Sequence, residues 1–126
     1  MVALERDYFR ALETPRMATL SPNLVAAAFP LMKLMPARYI LDRAAADGAL
    51  QTGGRIIETT SGTFGMAVAL LAAARGYRLT LVTASSLIDA KYRARLEGLG
   101  ATMIITEDPD GNGDQLRRLQ RLEGIR

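Results

Sequence analysis

The chain has no cysteine and no histidine among its 126 residues. Without cysteine it can form neither a disulfide nor a thiolate metal site. Without histidine it lacks the commonest general base, the usual metal ligand and any Ser-His-Asp triad. Carboxylates alone remain for a metal, and their densest group, Glu107-Asp108-Pro109-Asp110, reads as a solvated loop, so no metal is expected. Aromatic residues make up only 6% of the chain, and no basic-aromatic platform for bases is present. The net charge of +3 and pI near 9.7 invite a nucleic-acid reading, but the positive residues are scattered. Their densest group, Arg117-Arg118 with Arg121, falls on an expected C-terminal helix. The longest apolar stretch, Leu24 to Met35, is interrupted by Pro30 and Lys33 and is too broken to span a bilayer. No secretory pattern opens the chain, so the expectation is a cytoplasmic protein that binds neither nucleic acid nor membrane.

Lysine is also scarce. Of the 16 basic residues only Lys33 and Lys91 are lysine. Lys91 stands among Arg93 and Arg95 on an amphipathic helix, an ordinary solvated setting. Lys33 lies in Phe29-Pro30-Leu31-Met32-Lys33-Leu34-Met35-Pro36, with no charged neighbour. By itself this is either a snorkelling side chain at a helix start or an amine kept for its chemistry.

Hydrophobic residues account for 49% of the chain and charged ones for 23%, enough to bury a core in one domain. Val2 to Glu13 reads as an N-terminal helix before the turn Thr14-Pro15, and Leu24 to Phe29 as a short buried strand. Ala37 to Asp47 carries helical spacing and stops at Gly48. Strands and helices then alternate. Arg55–Glu58 leads into a helix Thr63–Arg75, and Arg78–Thr83 into a helix Ser86–Leu99 opened by a Ser-Ser cap. Thr102–Thr106 leads into a last helix, Asp114 to Leu122. This alternation predicts an α/β fold, a three-layer αβα sandwich on a parallel sheet.

The most informative segment is Glu58-Thr59-Thr60-Ser61-Gly62-Thr63-Phe64-Gly65, which joins a strand to an almost wholly apolar helix. Hydroxyls and glycines there meet the unpaired amides of a helix N-terminus, a setting that favours a carboxylate or phosphate. An ordinary strand-to-helix turn capped by Ser or Thr is the other reading. No G-x-G-x-x-G or G-x-x-x-x-G-K-[ST] pattern is present, which ranks a generic nucleotide-binding domain last.

From Ile56 to Thr106 the chain resembles the N-terminal part of cysteine synthase and its relatives in the cystathionine β-synthase family, the fold type II pyridoxal-phosphate enzymes. The resemblance rests on the Thr-Ser-Gly loop, on Ala73-Ala74-Arg75-Gly76-Tyr77, on Leu79-Thr80-Leu81-Val82-Thr83, and on Leu99-Gly100-Ala101 followed by Thr106. With less identity it extends upstream to Thr14-Pro15, so that residues 14–126 match the family and 1–13 form an N-terminal helix. The whole is one domain or the N-terminal fragment of a longer enzyme. Lys33 precedes Thr60 by 27 residues, as the family's Schiff-base lysine precedes its loop. The resemblance thus implies that Lys33 is catalytic and carries the cofactor, in an apolar setting from Leu31, Met32, Leu34 and Met35 that would favour the neutral amine. Thr63 replaces the family's cofactor-binding Asn. Thr60, Ser61, Gly62 and the Phe64 amide take the place of the substrate-carboxylate cradle, although Phe64 replaces a Thr.

The family's phosphate cradle, a glycine-rich loop in the later part of its chains, has no counterpart in this sequence. The implied activity is β-replacement or β-elimination on a small amino acid, as part of a lyase or transferase of amino-acid metabolism. A second polypeptide or a longer chain would complete the site and cover the apolar face, in an oligomer. A non-catalytic remnant kept as a binding or assembly partner is the alternative.

Overall fold

The computed structural model describes residues 9–12, 14–60 and 62–107. Residues 9–12 are helical. The rest of the expected N-terminal helix and the helix expected from Asp114 to Leu122 lie outside the described residues.

Three strands form a parallel sheet in the order β3 (Arg55–Thr59), β4 (Arg78–Ala84), β5 (Thr102–Thr106). Ile56 pairs with Leu79 and Val82 with Ile104, so each strand lies beside the next one in sequence. Parallel neighbours need a crossover between them, and two helical segments of the sequence supply it. Helix α2 (Thr63–Arg75) joins β3 to β4, and α3 (Ala90–Gly98) joins β4 to β5. Along β4 both side-chain parities are buried: Leu79, Leu81 and Thr83 on one, Val82 and Ala84 on the other. That pattern belongs to a central strand covered on both faces. The parallel α/β core expected from the sequence is therefore present. No helix among the described residues is long and apolar enough to cross a membrane.

Helix α2 is apolar nearly all round and buries Ala67, Val68, Ala69, Leu71 and Ala72. It stops at Gly76, whose φ of 75° is a left-handed conformation that only glycine adopts without strain. Helix α1 (Leu34–Ala46) packs against it through Leu34, Ala37 and Leu41. Arg75 of α2 reaches Asp42 of α1 at 2.7 Å. The pair is partly solvated and adds at most about 1 kcal/mol to the apolar contact.

Several boundaries differ from the sequence reading, each for a local reason. Helix α1 begins three residues before Ala37, because Pro36 falls in its first turn, where no amide partner is needed. Ser85–Leu87 form a short 3₁₀ turn instead of opening a helix. Helix α3 starts after Asp89, whose carboxylate accepts the Tyr92 amide at 2.7 Å and so outcompetes the Ser-Ser pair as a cap. The largest correction concerns the strand expected to be buried at Leu24–Phe29. It is β2 (Leu24–Ala28), paired antiparallel with β1 (Arg16–Ser21) in a hairpin that turns at Pro22-Asn23. Every residue of β2 is exposed, because no other described element packs on it.

Candidate functional site: the loop at the start of helix α2

Strand β3 continues one residue past its end, where the Thr60 amide donates to the Val82 carbonyl at 3.1 Å. This fixes Thr60 at the carboxyl edge of the sheet and directs its side chain under the start of α2. The Thr60 hydroxyl accepts the Gly65 amide at 2.9 Å and faces the Gly62 carbonyl at 3.3 Å. Thr60 thus caps α2 from three residues upstream of the first helical residue. Gly62, at the cap position itself, has no side chain to do so.

The contact is close. A Cβ on Gly65 would lie 2.6 Å from the Thr60 methyl and 2.7 Å from its hydroxyl, so only glycine fits there. Both donors of Thr60 are engaged, the amide with Val82 of β4 and the hydroxyl with Gly62 of the loop. The Thr63 and Phe64 amides, first and second in α2, have no hydrogen-bond partner among the described residues. The Thr63 side chain is exposed at the helix start, and Phe64 packs partly into the core. Ser61 lies outside the described residues.

The acid Tyr92 was not singled out by sequence. From α3 its hydroxyl donates to the Gly62 carbonyl at 2.6 Å. Burial raises the phenol above its ordinary value near 10, partly opposed by a hydrogen bond with the Met66 backbone. The available signal was an aromatic side chain alone on a helix that is otherwise Ala, Lys, Arg, Leu, Glu and Gly.

Lys33 is the residue before α1, and its carbonyl accepts the Ala37 amide at 3.2 Å. Its side chain is exposed and pairs with no described residue. The apolar enclosure expected around it is divided. Leu34 is fully buried and Leu31 partly so, whereas Met32 and Met35 are 58% and 44% exposed. The reason is helical geometry: where Leu34 turns into the core, the residues on either side of it face outward. Leu34 joins the core cluster against which Phe64 packs, so one apolar cluster underlies both Lys33 and the α2 loop.

Residues 32–125 match the family model described as pyridoxal-phosphate dependent enzyme. The chain belongs to that family. It is 37% identical over 75 residues to cysteine synthase A of Escherichia coli (strain K12) and, at the same identity, to that of Salmonella typhi. That alignment takes in 60% of this chain and 23% of each relative. The chain thus spans about a quarter of the length of the curated relatives it matches.

Among solved structures it is similar to O-ureido-L-serine synthase, with a TM-score of 0.73 at 24% identity, covering 88% of this chain and 38% of the synthase. A lysine-to-alanine variant of that synthase with O-ureido-L-serine bound gives 0.72 at 26%, over 89% and 39%. A hydrogen sulfide-producing enzyme crystallised with an α-aminoacrylate intermediate gives 0.73 at 15%, over 98% and 41%. These likenesses place the sheet and its helices in the fold of fold type II pyridoxal-phosphate enzymes.

Proposed function

We propose that this chain supplies the lysine and the carboxylate-binding loop of a cysteine synthase-like lyase or transferase, one that performs β-replacement or β-elimination on a small amino acid. The observation that carries the reading is the start of α2. Two amides without partners among the described residues stand there behind a glycine carbonyl held by other donors, in a family of pyridoxal-phosphate dependent enzymes.

The donor set fits one side of the cofactor. Lys33 offers an accessible amine for its aldehyde, and Thr63 a hydroxyl for its ring oxygen. When bound, pyridoxal phosphate acts as an electron sink for a carbanion at the substrate Cα. In this reading Lys33 Nζ holds the cofactor and then takes the Cα proton. The Gly62-Thr63-Phe64 backbone, with Ser61, binds the substrate carboxylate at the positive end of α2. Thr60 shapes the loop from beneath it.

No described residue forms a phosphate cradle, so the complete site needs a second polypeptide or a longer chain. Exposed apolar side chains support this reading: Met17, Leu20, Leu24 and Val25 on the hairpin, and Met32 and Met35 beside Lys33, are each at least 44% exposed. Cytoplasmic location and assembly into an oligomer belong to the same proposal. A second reading, a non-catalytic remnant used for assembly, is favoured by the exposure of Lys33.

Borohydride reduction in the presence of pyridoxal phosphate separates the two. On the catalytic reading, peptide mass spectrometry finds the cofactor fixed to Lys33, and the visible absorbance disappears in Lys33→Ala. It disappears in Lys33→Arg as well, because a guanidinium stays protonated and cannot attack an aldehyde. Lys91→Ala keeps both signals. Equal labelling of Lys33 and Lys91 selects the remnant.

A further inference from the structure

Tyr92 makes a contact that helix packing does not require. Gly62 and Met66 are the i and i+4 residues whose carbonyl and amide close the first turn of α2. The Tyr92 hydroxyl donates to the Gly62 carbonyl at 2.6 Å. One side chain from α3 therefore reaches the carbonyl that begins α2.

The Gly62 carbonyl also receives the Gly65 amide at 3.1 Å and the Thr60 hydroxyl at 3.3 Å. The Tyr92 bond is the shortest of the three. Because the peptide unit is planar and trans, the direction of the Gly62 carbonyl fixes that of the Thr63 N–H on the opposite side of the bond. Three donors hold the carbonyl toward α2, so the Thr63 amide points away from the helix, toward the space an anion would occupy.

Tyr92 is itself well placed for this task. Its own amide is held by Asp89 at 2.7 Å, and Leu96, one turn further along α3, is fully buried in the core. Dense packing does not force the contact, since an open cleft of about 190 Å³ lies between the loop and Leu87, Ile88 and Asp89.

We infer that Tyr92 is a positioning residue that orients the Thr63 amide outward for a carboxylate by clasping the first turn of α2. The inference deepens the proposed function and rests on it for the identity of the ligand, but not for the clasp. Two measurements on the isotopically labelled 126-residue chain, unmodified and as Tyr92→Phe, test it. The first is amide exchange at Gly65 and Met66, with Leu81 and Val82 in the central strand as the control for folding. The second is titration with acetate, followed at the Thr63 and Phe64 amides.

The expected result is exchange about tenfold faster at Gly65 and Met66 in the variant, and acetate binding weaker by a similar factor, with the strand unchanged. A structural prop without a positioning role would leave the acetate affinity unmoved, and that outcome overturns the inference. So does unchanged exchange at Gly65 and Met66. Should the variant also loosen the strand, the unmodified chain decides alone: a Tyr92 hydroxyl proton protected from water supports the clasp, and a freely exchanging one overturns it. If acetate moves no amide of the unmodified chain while Tyr92→Phe still speeds exchange and shifts Thr63, the clasp stands and the carboxylate-binding reading fails.

Discussion

At the scale of single residues, the start of α2 depends on the fit of Thr60 against Gly65. The threonine is nearly buried, and the position a Gly65 Cβ would take overlaps its methyl and hydroxyl. Gly65→Ala should therefore lower stability by about 1–3 kcal/mol, the usual cost of overpacking. A urea midpoint equal to that of the unmodified protein would mean that Thr60 swings aside at no cost. Thr83 presents the opposite case: its hydroxyl is buried in β4 with no hydrogen-bond partner among the described residues. An unsatisfied buried hydroxyl costs more than an apolar group of the same shape. Thr83→Val is expected to raise stability by about 1 kcal/mol, seen as a higher Tm, and a lower Tm would show that the hydroxyl has a partner in solution.

Between elements, α2 and α3 are joined by the Tyr92 hydroxyl, and α3 enters the apolar cluster it shares with α2 through Leu96. The phenol titrates above its ordinary value near 10 because burial disfavours the phenolate. A group whose folded value is raised keeps its proton in the native state after the unfolded chain has lost it. Its contribution is complete below the unfolded value and declines as pH rises through the window between the two. Stability should thus fall more steeply in the unmodified protein than in Tyr92→Phe between about pH 9 and about pH 11. Parallel urea melts at the two ends of that range check the sign, and identical slopes would place the phenol in water.

Across the whole molecule, stability is unevenly distributed. The parallel sheet and its helices share one core, whereas the hairpin β1–β2 has apolar side chains on its surface and no other described element packed on it. Isolated two-stranded hairpins are marginal in water. Amides of β1 and β2 should exchange at least roughly a hundredfold faster than those of Leu81 and Val82 in the chain alone. If the proposed function holds, adding a polypeptide that completes the site should slow them. Equal protection in the chain by itself would show that the hairpin needs no cover, and would remove the main support for a completing partner.

The parallel core was legible in the sequence because its signals are local. An apolar strand, a glycine-containing loop, an alanine-rich helix and a helix-ending glycine follow one another in order, and Arg55–Thr59, Thr63–Arg75 and Thr102–Thr106 form within a residue of where that pattern puts them. The loop at Thr60–Gly65 and the isolated Lys33 could be singled out on the same grounds, since side-chain chemistry and spacing are properties of the chain alone. What the pattern could not supply was the company each residue keeps. Leu24–Ala28 is as apolar as a buried strand, yet it is exposed, because burial depends on whether another element arrives to cover it. Asp89 displaced the serines as a cap by reaching the Tyr92 amide. Lys33 stands in water although its neighbours are apolar, because the helix it precedes turns Leu34 inward and leaves Met32 and Met35 outside. The bond from Tyr92 to Gly62 joins residues 30 apart in sequence, so only the packing of α3 beside α2 could bring it about.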